Sequence, residues 1–522
     1  MTKTPPFALH GWVALTARTW PTIFMMAFLS CGGKTNTSNP TPHETGAPGS
    51  DTADSADTGL DWPDDLIILD NVRVVDAAQI TEDAAVLIVG DLIWEVTEAG
   101  QVWPITATVQ DLTGHTVIPG LIDSHAHLFH SGSTWWVGET LGDNLVAQLA
   151  WGVTGVVDLG APEEVFALRD RIQDGTLVGP RIWATGPFLT AIGSHPCENI
   201  HDDTLCRYVD GDAAEHVAAL SSADGIKVAV ADASFTPWPT ERIDLGDLAD
   251  IVDAASAADQ PVWAHIDEPE DAEDALTAGA SFLAHPVFSE IVSETPDLPF
   301  ASTVSTFANP PALVSGDLLD EPLVHTPEAV VMAWIWLNQN PDAFLDGWIE
   351  ASAEWFTHAL ANIQTAVTEE RTILAGSDAG YWFVPHGLGL HHELEWLVEA
   401  GMSPQQAIGA ATAEPAQILG WDDLGWVSAG YRANLVVIDG NPDEDIAASR
   451  EVVSVFVDGQ QLDPETLTTD DLWLDSASPT PAENDFCLTN DDCCESDDDD
   501  ACTLQCDLVD HRCVESCEPT YD

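Results

Sequence analysis

Six side chains could together hold two divalent metal ions around one water molecule, and each stands in a short apolar run typical of a buried strand. They are His125, His127, Lys227, His265, His285 and Asp378. Metal binding lowers the pKa of a coordinated water towards neutrality, which provides a nucleophile at physiological pH. The set therefore predicts a metal-dependent hydrolase.

The first pair of histidines lies in the apolar segment 117–128, which Pro119-Gly120 interrupts. Residues i and i+2 of a strand face the same way, so His125 and His127 can bind one ion, and imidazole suits zinc. Taken alone, the pattern fits two strand-end histidines with ordinary hydrogen bonds equally well. His130 falls outside this spacing and is expected in a loop or in a supporting position.

Lys227 interrupts the run 225–230, whose apolar character predicts a strand covered on both faces. Burying an unpaired ammonium is costly. Reaction with CO2 would convert the amine into a carbamate, whose two oxygens can each bind one metal. Taken alone, the lysine is better explained by a carboxylate partner or by a side chain that extends to the barrel mouth. The other five residues favour the carbamate.

His265 and His285 each close a short apolar run, and the segment 270–278 between them has a helical pattern. This strand, helix, strand unit places a histidine at both carboxyl ends, where barrel enzymes hold their active sites. Asp378 ends the run 372–378 in the same way. Its carboxylate could bind a metal and accept a proton from water, although an aspartate in a Gly-Ser-Asp-Ala-Gly segment is often only a turn residue.

These motifs resemble the amidohydrolase superfamily, specifically its two-metal members with a carboxylated lysine, near the imidazolonepropionase-like and Xaa-Pro dipeptidase-like branch. The resemblance covers about residues 66–463. Besides the His265 and His285 strands, its segments are 119–127, 224–227, 375–380, 386–394, 403–412 and 430–439.

The resemblance implies an α/β fold, a (β/α)8 TIM barrel with a small composite β-sandwich built from both ends of the catalytic region. Short strand patterns at 72–75, 85–89 and 433–457 agree, as do the alternating strands and Ala-rich helices between them. The expected parts are a signal peptide (1–30), a flexible linker (31–63), the sandwich (64–117 and 424–466), the barrel (118–423) and an acidic Cys-rich tail (467–522).

The ligand set also predicts a mechanism. One metal, expected to be Zn2+, would take His125, His127 and Asp378, while the other would take His265 and His285. Carboxylated Lys227 and a hydroxide would bridge the two ions. Asp378 would act as general base and then general acid in cleaving an amide, peptide or cyclic amide C–N bond of a small substrate.

Two other classes of function are compatible with the same barrel. A relative could use the metals for non-hydrolytic chemistry, and only assays would separate it from a hydrolase. A catalytically silent surface-binding protein is also conceivable, but it would be expected to have lost metal ligands, and all of them are present in this chain.

Substrate contacts are expected from loops after the strands. Relatives often have Gly-Gly-His where this chain has Gly193-Ser194-His195, which makes His195 a candidate, although a loop histidine without a role fits nearly as well. The other candidates are Arg207, Tyr381 and His386. A substrate carboxylate would need such donors in so acidic a protein. Arg207 could equally pair with Asp202 or Asp210 at the surface.

The first 31 residues predict export. Positive charges at Lys3 and Arg18 precede the apolar stretch 22–30, which is too short for a stable membrane span, and Cys31 follows directly. This junction resembles a bacterial lipoprotein processing site, so Cys31 would carry the lipid anchor. The expected location is a bacterial outer membrane or cell surface. An ordinary cleaved signal peptide is the alternative.

The remaining cysteines fit an oxidising compartment. Cys197 and Cys206 are close enough in one loop to form a disulfide, and seven more crowd the tail: Cys487, Cys493, Cys494, Cys502, Cys506, Cys513 and Cys517. The tail is expected to be a disulfide-linked appendage. A zinc knuckle fits less well, because His511 is its only histidine.

The charge balance limits the partners. The chain has 14 Lys plus Arg against 88 Asp plus Glu, a formal net charge of −74. Such a surface repels nucleic acid and anionic membranes, so we expect a small-molecule or dipeptide-like substrate and membrane contact only through the lipid. The sequence leaves the oligomeric state open.

Overall fold

The computed structural model describes residues 62–131, 140–200, 203–236, 239–341 and 347–472, together with the backbone of two strands at 503–507 and 512–516. The predicted signal peptide, Cys31, nearly all of the linker and most of the tail lie outside the described residues.

The strands of the described residues fall into two groups, a sheet shared by both ends of the region 62–472 and a series of parallel strands between them. In chain order they are β1 (Ile67–Val75), β2 (Ile80–Val89), β3 (Leu92–Glu98), β4 (Thr108–Asp111), β5 (His115–Pro119), β6 (Leu121–Ala126), β7 (Val153–Asp158), β8 (Arg181–Ala184), β9 (Phe188–Thr190), β10 (Cys206–Tyr208), β11 (Ile226–Ala229), β12 (Val262–His265), β13 (Phe282–Leu283), β14 (Phe300–Ala301), β15 (Ile373–Leu374), β16 (Leu435–Asp439), β17 (Val452–Val457), β18 (Gln460–Leu462), β19 (Thr503–Asp507) and β20 (Arg512–Ser516).

Helices alternate with the strands of the second group and cover them. They are α1 (Leu141–Ala150), α2 (Glu164–Gln173), α3 (Cys197–Ile200), α4 (Ala213–Ala219), α5 (Leu245–Ala257), α6 (Pro269–Ala278), α7 (Ser305–Ser315), α8 (Glu328–Gln339), α9 (Trp348–Thr368), α10 (Leu388–Glu399), α11 (Pro404–Ala410) and α12 (Ala413–Leu419). None of the helices in the described residues is long and apolar enough to span a membrane.

The shared sheet has the strand order β18-β17-β16-β5-β1-β2-β3, with β4 beside β1. Near its middle, β5 and β16 form an antiparallel pair in which Val117 lies opposite Val437. Both strands are rich in β-branched residues, which pack well on a half-buried pleated surface. The amino-terminal and carboxyl-terminal strands therefore share one hydrophobic core.

The second group contains eight parallel strands, β6, β7, β8, β11, β12, β13, β14 and β15, with β9 and β10 added beside β11. Hydrogen bonds also join its first and last members: the Ser124 amide donates to the Ala375 carbonyl at 2.9 Å, and the His127 amide to the Ala379 carbonyl at 2.8 Å. Every residue of β6 and β7 is buried. This α/β arrangement is consistent with a (β/α)8 barrel.

Helix α6 shows how local sequence fixes an element beside the candidate site. Glu268 is its N-cap, Pro269 follows in the first turn, and Asp271 completes a capping box. Gly279 ends the helix with a φ of 91°, a left-handed conformation that glycine adopts at little cost. The helix expected over 270–278 is confirmed.

Candidate metal centre

The structure brings the six predicted residues together on the parallel strands or just beyond their carboxyl ends. His125 lies on β6 and Lys227 on β11, while His265 is the last residue of β12. His285 and Asp378 follow β13 and β15. Five of the six are buried, and the His265 side chain is only 13 % exposed.

The first cluster consists of His125, His127 and Asp378, whose candidate ligand atoms all lie within 4.8 Å of one another. The Asp378 Oδ1 oxygen is 3.4 Å from His125 Nε2 and 3.1 Å from His127 Nε2. Two ligands of a tetrahedral zinc, each about 2.1 Å from the ion, are separated by about 3.4 Å. These three side chains thus have the spacing of ligands to one metal.

Hydrogen bonds on the far side of each ring fix which nitrogen faces the cluster. His125 Nδ1 lies 2.8 Å from the carbonyl oxygen of Ala284, and His127 Nδ1 lies 3.1 Å from that of Gly160. Carbonyl oxygens only accept, so each Nδ1 carries the proton and each Nε2 keeps its lone pair. Both Nε2 atoms are therefore available to a metal.

His265 and His285 form a second cluster beside the first. Their ring centroids are 4.5 Å apart, and the His285 ring is 4.8 Å from that of His125. His285 Nδ1 contacts the Thr303 hydroxyl at 2.9 Å, which leaves Nε2 for another ligand. The two clusters are close enough to form one centre.

Lys227 is fully buried, and its Nζ has no hydrogen-bond partner among the described residues. The nitrogen lies 5.5 Å from the centre of the Phe188 ring. Burial lowers the pKa of Lys227 to about 7, although the charges of Asp378 and Asp158 act in the opposite direction. Buried polar groups normally have a hydrogen-bond partner. The free Nζ of Lys227 therefore fits a role in holding a further group at this position.

Burial favours the neutral form of three histidines of the centre, His125, His265 and His285. Burial, the largest cause, lowers the pKa of His265 to about 3 and takes the pKa values of His125 and His285 well below their usual range. A neutral imidazole has a free lone pair, so these residues fit a metal without losing a proton.

Two buried carboxylates that the sequence analysis did not single out hold the ligands in place. Asp123 accepts hydrogen bonds from the Ser377 amide at 2.9 Å and the His125 amide at 3.2 Å. Asp158 accepts from the Leu128 amide at 2.9 Å. Like Lys227, each is a charged residue inside an apolar strand. Such residues are seldom buried without a partner, and this pattern could have identified both from the sequence.

The turn after β15 is sterically crowded. Asp378 has a φ of 59°, and its Oδ2 accepts a hydrogen bond from the Thr306 hydroxyl at 3.2 Å. A Cβ added at Gly380 would lie 2.3 Å from the His127 carbonyl oxygen. Glycine is therefore required for the close approach of this turn to the His127 segment.

The four predicted substrate contacts fall into two groups. His195 stacks on His265 with ring centroids 4.3 Å apart, and the Tyr381 amide donates to the Asp378 carbonyl at 3.0 Å, so both are next to the centre. Arg207 forms an ion pair with Glu163. His386 is buried, with its ring nitrogens 2.8 Å from the His130 carbonyl oxygen and 3.2 Å from the Gln148 amide nitrogen.

The predicted disulfide between Cys197 and Cys206 is confirmed, with the two Cα atoms 6.2 Å apart. It links α3 to β10 in the segment that carries His195. In the tail, β19 and β20 pair with Cys506 opposite Cys513, while the other tail cysteines and His511 lie outside the described residues.

Aromatic side chains form a second feature that the sequence analysis missed. Phe307 directly follows Thr306, and its ring lies 4.4 Å from that of Phe288, three residues after His285. Tyr381, three residues after Asp378, stacks on Trp382 with ring centroids 5.6 Å apart. Aromatic residues therefore follow two of the ligand candidates closely in the chain, and Phe288 and Phe307 pack in a buried cluster with Trp355.

Comparison with known proteins gives a family from the sequence and a shared fold from the structure. The model of the amidohydrolase family matches residues 116–462. An adenine deaminase from Chelativorans sp. (strain BNC1) is 23 % identical over 389 residues, which are 72 % of this chain and 54 % of the relative. The chain therefore spans about half the length of that curated relative.

Solved structures with the same fold include dipeptidases. A Xaa-Pro dipeptidase with bound methionine in its active site has a TM-score of 0.61 and 24 % identity, covering 76 % of this chain and 100 % of the other. A putative prolidase from Bifidobacterium longum has a TM-score of 0.61 and 25 % identity, covering 76 % of this chain and 94 % of the other. With the family match over most of the folded region, this protein belongs to the amidohydrolase family.

Proposed function

We propose that the protein is a binuclear metal-dependent hydrolase that cleaves a C–N bond of a small substrate. The observation that carries the proposal is the spacing of 3.1 Å and 3.4 Å between Asp378 Oδ1 and the two Nε2 atoms of His127 and His125. Family membership supports it, as does the similarity to an Xaa-Pro dipeptidase and an adenine deaminase.

In this proposal, His125, His127 and Asp378 would hold one metal, His265 and His285 would hold the other, and modified Lys227 would be a further ligand. Zinc suits the mixture of imidazole and carboxylate ligands. When bound, the metals supply an activated water and neutralise the charge that develops on the substrate carbonyl oxygen. Asp378 accepts a proton from the attacking water and returns it to the leaving nitrogen, with Thr306 holding its Oδ2 oxygen.

Lys227 is proposed to become a carbamate. Its neutral Nζ attacks the carbon of CO2, a π electron pair of CO2 moves to oxygen, and the nitrogen releases one proton to water. The pKa of about 7 leaves a large neutral fraction of the amine at physiological pH, as this step requires. The product is an anion that can replace the missing hydrogen bonds of Nζ by metal contacts.

The proposed substrate is a dipeptide, an N-acyl amino acid or a cyclic amide of similar size. Arg207, a candidate for binding a substrate carboxylate, is already neutralised by Glu163. We therefore place any recognition of a substrate carboxylate with His195 and Tyr381, next to the centre.

Metal analysis of the purified protein tests this proposal. Wild type is expected to contain about two zinc equivalents per chain, with a 13C signal from labelled CO2 on Lys227. Lys227→Ala should lose metal and activity, and acetate or propionate should partly restore both by filling the space with a carboxylate. Arg171→Ala is the control, because it removes a cation on α2, far from Lys227 in the sequence. An active wild type with one metal or none would contradict the binuclear centre.

We also propose that the protein is exported and held at a bacterial membrane by a lipid on Cys31. The proposed boundaries of the linker, sandwich, barrel and tail are those predicted from the sequence. The disulfide between Cys197 and Cys206 supports an oxidising compartment, because cytosolic thiols are normally kept reduced.

A further inference from the structure

A buried carboxylate lies against one of the metal-ligand candidates at a position that no role above uses. Asp267 is two residues after His265, is only 6 % exposed, and has its Oδ1 oxygen 3.3 Å from His265 Nε2. Burying a carboxylate costs free energy unless it has a specific partner. The imidazole of His265 is one partner that this geometry offers.

His265 is oriented differently from the other three histidines of the centre. In His125, His127 and His285, Nδ1 contacts a backbone carbonyl or a hydroxyl, and the Nε2 atoms of His125 and His127 face Asp378, which is itself a ligand candidate. In His265, Nε2 faces Asp267, a carboxylate that is not among the six ligand candidates. A neutral ring with its proton on Nε2 has its lone pair on Nδ1.

The backbone of Asp267 is fixed from both sides, which gives the carboxylate a defined position. Its amide donates to Asp271 Oδ2 at 3.2 Å, and its carbonyl accepts from the amides of Phe288 and Ser289, each at 3.2 Å. Asp271 is in turn held by Arg242 at 2.9 Å. Asp267 thus links the end of the His265 strand to the loop that follows His285.

We propose that Asp267 is a positioning residue for the second metal. Its carboxylate accepts the Nε2 proton of His265, fixes this tautomer, and so presents Nδ1 as the metal-binding nitrogen. The carboxylate also makes the ring a stronger donor, as outer carboxylates of metal-bound histidines do. This inference depends on one part of the proposed function, the binding of a metal by His265.

Chelator competition on Asp267→Ala and Asp267→Asn tests the proposal. Loss of such an outer partner typically weakens metal binding by about 10-fold to 100-fold. We expect that loss in Asp267→Ala at one of the two zinc sites, with the other unchanged. Asp267→Asn keeps an acceptor oxygen without the charge and should fall between Asp267→Ala and wild type. Circular dichroism and Tm verify that each variant is folded.

Asp232→Asn is the matched control, because Asp232 is a nearby carboxylate that bonds the Ser234 amide at 2.9 Å instead of a ring. A crystal structure of the zinc-loaded wild type is expected to show zinc on His265 Nδ1. Zinc on Nε2, or wild-type affinity in both Asp267 variants, would overturn the assignment. Failure of the proposed function would show differently, as a wild type that binds no zinc.

Discussion

Asp378 occupies a backbone conformation that non-glycine residues seldom adopt, with a φ of 59°. Its amide donates to the His125 carbonyl at 2.7 Å, and its carbonyl accepts from the Tyr381 amide. These bonds tie the turn after β15 to the end of β6. The left-handed conformation is thus maintained by neighbours, and it directs the carboxylate at both His125 and His127.

Replacing Asp378 by asparagine tests its role as general base and acid. The amide has nearly the same shape, so the fold and Tm should be kept, but it cannot accept a proton. Loss of a general acid–base group typically costs about 100-fold to 10,000-fold in rate. We expect kcat to fall within that range, measured on a hydrolysed amide substrate at equal metal content. Unchanged turnover would remove this role from Asp378.

At the scale of elements, helix α10 carries a buried carboxylate that supports the loop in front of α7. Glu393 accepts hydrogen bonds from the Ser302 hydroxyl at 2.6 Å and the Ser305 amide at 2.5 Å. Thr306, which contacts Asp378, is the next residue along. The helix therefore supports the candidate centre through one side chain, although it contributes no ligand candidate.

Burial raises the pKa of Glu393 from 4.5 to about 7, although its hydrogen bonds act in the opposite direction. Between these two values the unfolded chain loses the proton while the folded chain keeps it. The contribution of this group to stability is therefore full below pH 4.5 and is lost as pH rises through 7, up to about 3 kcal/mol.

Glu393→Gln should remove this part of the pH dependence, because the amide resembles the protonated acid. We expect the variant to gain stability relative to wild type between pH 5 and pH 8, measured as the free energy of unfolding in urea. Glu399→Gln, an exposed position on the same helix, is the control. If the free energy of unfolding varied with pH in the same way in wild type and Glu393→Gln, the raised pKa of Glu393 would be contradicted.

At the scale of the whole molecule, the net charge of −74 and the cysteine pattern are the features behind the proposed export of the protein. Such a charge opposes contact with anionic lipid surfaces, so stable membrane attachment would need an anchor of its own. The proposed anchor is the lipid on Cys31, separated from the described residues by about thirty residues of linker.

Cys31→Ser tests this anchor in the full chain. The variant should move from the membrane fraction to the soluble fraction and lose labelling by a radioactive fatty acid, since no other acylation site is proposed. Hydrolase activity should remain, because Cys31 lies far from the centre in sequence. Cys487→Ser, which removes a tail cysteine, should stay membrane-bound. A Cys31→Ser variant that stays with the membranes would contradict the lipoprotein proposal.

The sequence by itself determined the family, the ligand candidates and the helix between two of them. Its signals are local: a strand alternates with period two, so His125 and His127 can be paired by eye, and capping residues mark α6. The disulfide between Cys197 and Cys206 is also a short-range feature. Motif resemblance then extended these local signals to an α/β architecture.

Only the tertiary structure decided which charged groups meet over long distances in the chain. The sequence suggested Asp202 or Asp210 for Arg207. Asp202 lies outside the described residues, and among those described Arg207 pairs with Glu163, 44 residues away. The support of Asp123 for Ser377 spans 254 residues, and the contact of Asp267 with His265 depends on how the end of one strand turns. Periodicity and motifs record which face a residue occupies, but the partner of a buried charge is set by how distant segments pack.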